Sequence, residues 1–137
     1  MELLLLFILL GPASCLLPRV VFADCDGTML GPDHRLTFRT RDTLRRLTAA
    51  GISVVPATGR ARAGPWTEHV LTEPALKGGI PGIFMNGCNV IDEEGAASNS
   101  LLPSAVVTAT LGFAASEPVT AAVYSGDEAL VDTSNTL

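Results

Sequence analysis

Two carboxylates separated by one residue, Asp24 and Asp26, open the segment Asp24-Cys25-Asp26-Gly27-Thr28 directly after the apolar run Val20-Val21-Phe22-Ala23. In extended backbone, side chains two apart point to the same side. A glycine just beyond lets the chain turn sharply and lets backbone N–H groups approach an anion. Such a carboxylate pair suits Mg2+, a hard cation that takes one or two carboxylates and leaves its other positions to water and phosphate oxygens. A carboxylate can also attack phosphorus and form an aspartyl-phosphate. Taken alone, the same residues also describe an acidic loop that caps the next element.

Two further apolar runs end in the same way. Ile52 to Ala57 stops at Thr58-Gly59-Arg60, and Gly82-Ile83-Phe84-Met85 stops at Asn86-Gly87. Short β-branched or apolar runs bounded by polar, glycine-containing turns read as buried strands. Between the first two, Thr37 is placed to cap a helix that runs to about Ala50, with Phe38, Leu44 and Leu47 as its apolar side and Gly51 as its C-terminal glycine. A shorter helix is expected between Pro65 and Leu71, bounded by Pro74. Strand, helix, strand, helix, strand in succession predicts an α/β, Rossmann-like parallel sheet. Ligands in such sheets bind outside the carboxyl ends of the strands. All three polar turns therefore converge on one crevice.

Beyond Gly95 the texture changes. Val90-Ile91 and the turn Asp92 to Gly95 begin an irregular stretch, and Ala96 to Ser100 reads as a linker. Pro103 to about Ser116 is helical in pattern. Val119 to Tyr124 and Ala129 to Asp132 flank Ser125-Gly126-Asp127 as the arms of a hairpin. The expected division is a targeting segment over 1–15, the sheet-bearing core over 16–97, and a linker with the start of a second unit over 98–137.

Composition narrows the function classes. The chain has 137 residues, 47% of them hydrophobic and 17% charged, enough for a core and too apolar for wholesale disorder. A net charge of −5 offers no electrostatic footprint for nucleic acid, and the arginines from Arg35 to Arg46 read as a solvated helix face. Cys15, Cys25 and Cys88 have neither zinc spacing nor an even count for a disulfide framework, so Cys25 and Cys88 are read as buried small hydrophobes. His34 and His69 have no ligand-spaced partner and read as solvated surface, and Trp66 is assigned to packing. Leu3 to Leu10, followed by Gly11-Pro12-Ala13-Ser14-Cys15, is similar to a secretory signal, although Glu2 stands where a basic region belongs. The alternative is an apolar extension packed beside the first strand. The run is too short for a stable membrane span.

Asp24-x-Asp26-Gly27-Thr28 after an apolar strand resembles the first motif of the haloacid dehalogenase (HAD) superfamily. Thr58-Gly59-Arg60 is similar to the second motif of its Cof-type sugar-phosphatase branch, Asn86-Gly87 to that branch's next loop, and Val119 to Asp132 to the first hairpin of its α/β cap. The resemblance implies a HAD-like core followed by the start of an α/β cap, and a Mg2+-dependent phosphatase acting on a small phosphorylated metabolite or sugar phosphate. It implies Asp24 as nucleophile and metal ligand. It implies Asp26 as general acid and base, with its backbone carbonyl on the metal. Gly27, Thr28, Thr58 and Gly59 would bind phosphate; Arg60, Asn86 and Gly87 would face substrate or cap. An Asp at position 26 sets phosphatases and mutases apart from the superfamily's ATPases and dehalogenases, so a phosphomutase-like transferase stays an alternative.

The family pattern also carries a lysine that offsets repulsion between phosphate and nucleophile, and a Gly-Asp-x-x-Asn-Asp segment that completes the metal site. The one lysine, Lys77, precedes the third strand, and Leu130-Val131 stand where Asn-Asp would follow Gly126-Asp127. The expectation is therefore an incomplete, inactive N-terminal half whose sheet needs a C-terminal half or a partner chain. A non-catalytic phosphate-binding module is the reading from another class. The family resemblance implies a cytoplasmic protein, and the leader, if it is a targeting signal, a secretory or organellar one.

Overall fold

The computed structural model describes residues 18–126 and 128–131. The expected leader at Met1–Cys15, and Asp127 and Asp132 of the expected hairpin, lie outside them. Strand β1, Val20–Asp24, runs parallel to β2, Ser53–Ala57, in register from Val20↔Ser53 to Asp24↔Ala57. Strand β3, Gly82–Phe84, joins β2 in parallel through Ala57↔Ile83. Val54, Val55 and Pro56 of β2 are all buried, as a strand covered on both faces requires. Pro56 is tolerated in this central strand because of its register. Ser53 N–H donates towards β1, to Arg19 O, and Thr58 N–H towards β3, to Ile83 O. Even-numbered positions therefore face β3, where pairing begins only at Ala57, and the missing N–H of Pro56 breaks no ladder bond.

The sheet extends further than the sequence pattern suggests. Strands β4, Asn89–Ile91, and β5, Ala97–Asn99, add antiparallel to give the order β1-β2-β3-β4-β5. The stretch expected as a linker, Ala96 to Ser100, is thus mostly an edge strand. Its small polar residues hide no alternation because both faces are exposed. The turn between the two strands is organised by Asp92, whose Oδ1 accepts from Glu94 and Ala96 N–H. A second, two-stranded sheet follows helix α2, Ser104–Ser116: β6, Ala122–Ser125, pairs with β7, Glu128–Val131, as the hairpin pattern predicts.

Helix α1, Phe38–Ala49, follows β1. Thr37 Oγ1 accepts from Thr40 N–H at 3.1 Å, the expected N-cap. At the other end Gly51 has φ +74°, and Ile52 N–H reaches back to Leu47 O at 2.9 Å, closing the helix. Leu44 is buried and Leu47 half-buried, but Phe38 is 83% exposed and does not belong to the apolar side. Six residues from Leu44, it falls outside the three-to-four spacing that aligns one helix face. Nor is the arginine face wholly solvated, because Arg41 donates to the buried Glu73 at 2.5 Å. The expected second helix is a single wide turn, Thr67–Leu71, followed by a tight turn at Pro74–Leu76.

The core gathers Leu44, Val54, Val70, Leu71, Leu76 and Phe84 in one cluster. Phe84 sits over two glycines: a Cβ on Gly79 or Gly82 would lie 2.8 or 2.5 Å from its ring. Among the described residues β1 pairs on one side only, and Phe22 at its centre is 63% exposed.

Candidate active site at the strand ends

Asp24, Ala57 and Ile83 stand level across the three parallel strands, so the loops that follow them leave the sheet side by side. After Asp24 the chain makes one wide turn over Cys25–Met29, closed by Leu30 N–H on Cys25 O at 2.9 Å. Gly27 takes φ +76° at its apex, a conformation L side chains rarely adopt. Thr28 Oγ1 lies 3.4 Å from Asp24 Oδ2. Both carboxylates are exposed, whereas Cys25 between them points inward and is fully buried. Burial pushes its thiol up to about 11; the Asp24 and Asp26 charges add to this, while a hydrogen bond with Thr58 and the Arg60 charge oppose it.

The second and third loops are stitched together. Thr58 N–H donates to Ile83 O, Asn86 N–H to Thr58 O at 3.1 Å, and Met85 N–H to Arg60 O at 2.9 Å. Thr58 itself is buried, its Oγ1 accepting from Arg60 N–H at 3.1 Å. A Cβ on Gly59 would come within 3.0 Å of Asn86 Oδ1, so a glycine is what lets the loops approach. Met85, Asn86 and Gly87 all have positive φ, at 52°, 54° and 92°. Three successive residues in this region form a strained turn of the kind that clusters at functional sites.

Asp24, Asp26, Thr28, Thr58, Gly59, Arg60, Asn86 and Gly87 are thus all carried by the three loops at one edge of the sheet. Arg60 is found on Asp26. Its Nε and Nη2 donate to Asp26 Oδ2 and Oδ1, each at 2.6 Å, in a two-pronged ion pair. The guanidinium also stands 5.7 Å from the Trp66 ring. Trp66 is buried, tilted against Phe84 at 6.4 Å, and donates from Nε1 to Ala61 O, so it packs beneath the arginine. The hydrogen bonds and charge of Arg60 hold the Asp26 carboxyl below its usual range.

Two readings of individual residues change, and that of Lys77 does not. His34, expected as bare surface, keeps much of its exposure but reaches the site: its Nδ1 is 2.9 Å from Arg60 Nη2 and 3.4 Å from Asp26 Oδ1. The turn Gly31-Pro32-Asp33-His34 lies between Leu30 and Leu36, which bridge and fold the loop back. Cys88 is exposed, not buried, because it follows the strained turn instead of lying in a strand. Lys77 is an exposed residue in left-handed conformation after Pro74–Leu76, away from the three loops in sequence.

The donor set can be tested against Mg2+. Among the described residues, no group of three or more His, Cys, Asp or Glu side chains is placed to hold a metal ion. Mg2+ does not require one, since a single carboxylate with water and phosphate oxygens suffices. Asp24 offers that carboxylate; the Asp26 carboxylate is engaged by Arg60, which leaves its backbone carbonyl as the donor from that residue. The residues fit the ion on those terms.

Three parallel strands with two carboxylates at the end of the first, and the glycine-containing loops Thr58–Arg60 and Asn86–Gly87 beside them, define the class. Residues 21–136 match the haloacid dehalogenase-like hydrolase family, and the chain belongs to it. It is 42% identical over 62 residues to an HMP-PP phosphatase of Enterobacter sp., covering 45% of this chain and 20% of that one. Its fold superposes on a Geobacillus kaustophilus HTA426 protein with a TM-score of 0.70 at 26% identity, over 87% of this chain and 44% of the other. For the HAD subclass IIB sugar phosphatase BT4131 the TM-score is 0.67 at 27% identity, over 82% and 43%. The match spans 20% of that phosphatase and less than half of these solved structures. These likenesses agree with the Cof-type branch of the superfamily.

Proposed function

We propose that the chain carries the nucleophile-bearing part of a Mg2+-dependent phosphomonoesterase that acts on a small phosphorylated metabolite. The observation that supports this best is the exposed Asp24 carboxylate at the end of β1, level with the stitched loops Thr58-Gly59 and Asn86-Gly87. Asp24 attacks phosphorus and the bond to the leaving oxygen breaks, giving an aspartyl-phosphate. Asp26 gives a proton to that oxygen, then takes one from the water that cleaves the Asp24–phosphorus bond. Gly27, Thr28, Thr58 and Gly59 hold the transferring oxygens in place, because this chemistry rests on positioning and charge stabilisation. Asp24 and the Asp26 carbonyl would hold Mg2+, which when bound would offset phosphate charge.

Arg60 sets a condition on this sequence. A carboxylate held ionised by a two-pronged arginine cannot donate a proton, so the pair must open before Asp26 acts as the acid. Arg60, Asn86 and Gly87 then face the substrate. By itself the chain is expected to turn over negligibly, since its one lysine, Lys77, lies outside the three loops that carry the site. Its 1–15, 16–97 and 98–137 segments are proposed as leader, core and cap start, with β5 carrying the core sheet on to Asn99.

The test is hydrolysis of an aryl phosphate by this chain joined to the C-terminal remainder of an HMP-PP phosphatase. Activity that needs Mg2+ and falls to background in Asp24→Asn is expected. Undiminished turnover in Asp24→Asn would remove Asp24 from the chemistry. Turnover by the chain alone, matching that of the joined protein, would overturn the expected inactivity.

A further inference from the structure

His34 lies at the tip of a loop, two-thirds exposed, yet its backbone takes φ +57°. A non-glycine residue in that region is uncommon and held at a cost. The loop is braced from several sides: Gly31 N–H donates to Arg35 O, His34 N–H to Gly31 O, and Arg35 N–H to Asp33 Oδ1, with Leu30 bridged to Leu36. The bracing aims the imidazole at Arg60, 26 residues further along the chain.

Arginine has donors and no acceptor, so the 2.9 Å contact requires a bare Nδ1 on His34, with the ring proton on Nε2. The Nη2 nitrogen that meets His34 is the one that donates to Asp26 Oδ1. A guanidinium is planar, and fixing Nη2 fixes the plane from which Nε reaches Oδ2. Trp66 supports the same group from below. We propose that His34 is a positioning residue: by accepting from Arg60 Nη2 it fixes the guanidinium, and through it the orientation of the Asp26 carboxylate. The functional meaning rests on Asp26 being the proton-carrying carboxyl, but the contact itself is measurable without turnover.

The experiment uses the 137-residue chain, labelled with 15N, at a single neutral pH. The ring nitrogens of His34 and His69 are compared, His69 serving as the exposed reference. His34 is expected in one tautomer with Nδ1 bare, and His69 as the ordinary mixture. Exchange of Arg60 Nε–H with water is then followed in His34→Leu, which has no acceptor, and His34→Gln, which has one. Losing this exposed hydrogen bond should speed that exchange about threefold to tenfold in His34→Leu, and His34→Gln should restore it. Equal exchange in all three proteins overturns the proposal. So does a His34 ring whose tautomers match those of His69, which decides the matter even if a variant fails to fold. Failure of the Asp24→Asn assay would leave these readouts unaffected.

Discussion

Arg60 grips Asp26 with two 2.6 Å hydrogen bonds across 34 residues of chain, joining the loop after β2 to the loop after β1. The pair lowers the Asp26 pKa, and its sign sets a pH window. A carboxyl whose folded value is depressed adds stability above its unfolded value, near 4, and loses it as pH falls through the folded value. With the Asp26 side chain 45% exposed, solvent screening keeps that contribution small. The titration is the sensitive readout. In Arg60→Leu the Asp26 midpoint should rise towards the ordinary aspartate range, followed by 13C NMR of its carboxyl carbon. An unmoved midpoint would mean that Arg60 does not hold Asp26 in solution.

Cys25 and Cys88 should separate cleanly in reactivity. The thiolate is the reactive form, and with a pKa of about 11 only about one Cys25 in a thousand is ionised at pH 8. The sulfur is also fully buried, whereas Cys88 is exposed. A disulfide reagent at pH 8 should label Cys88 rapidly and Cys25 only on unfolding, as read by peptide mass. Rapid labelling of Cys25 in the folded protein would contradict its placement beneath the Asp24–Asp26 loop.

What the sequence revealed follows a physical line. The three strand ends were legible because each couples a buried run to a polar, glycine-containing turn, and that pattern survives without knowledge of the partners. Thr37 and Gly51 were legible for the same reason: caps act through neighbours in sequence. Strand β5 was not, because Ala97–Asn99 is exposed on both faces and is defined only by pairing with β4. The reach of His34 to Arg60, and of Arg41 to Glu73, depends on loop geometry across 26 and 32 residues. No local pattern encodes those contacts, and spacing rules read both residues as surface.

Gly82 should be less replaceable than glycines with unusual backbone. A Cβ there would meet the Phe84 ring at 2.5 Å and Gly79 O at 2.6 Å, and Phe84, fully buried, has nowhere to move. Overpacking of this kind costs typically 1–3 kcal/mol. Gly87 has φ +92° but open space around a Cβ, so Gly87→Ala carries only the cost of a strained backbone, about 1 kcal/mol. Urea unfolding should rank Gly82→Ala as the more destabilised. The reverse order would place the Phe84 ring elsewhere.

Glu73 and Arg41 should respond unequally to removal. The Glu73 side chain is 3% exposed while that of Arg41 is 37% exposed, and Arg45 stands 3.9 Å from the second carboxylate oxygen. Removing Arg41 leaves a buried carboxylate with only this longer contact, whereas removing the Glu73 charge leaves an arginine that can turn to water. Breaking a buried pair costs about 3–5 kcal/mol when the remaining charge is trapped, and the partial cover from Arg45 should bring Arg41→Ala to roughly 2–3 kcal/mol. For Glu73→Gln the loss is one charge-assisted hydrogen bond, about 1 kcal/mol after the amide re-pairs. The pair ties α1 to the turn at Pro74–Leu76, so both variants should unfold cooperatively with lower urea midpoints, Arg41→Ala by more. Equal losses would show that Arg41 is as confined as its partner, and a smaller loss for Arg41→Ala would show that Arg45 takes over the carboxylate.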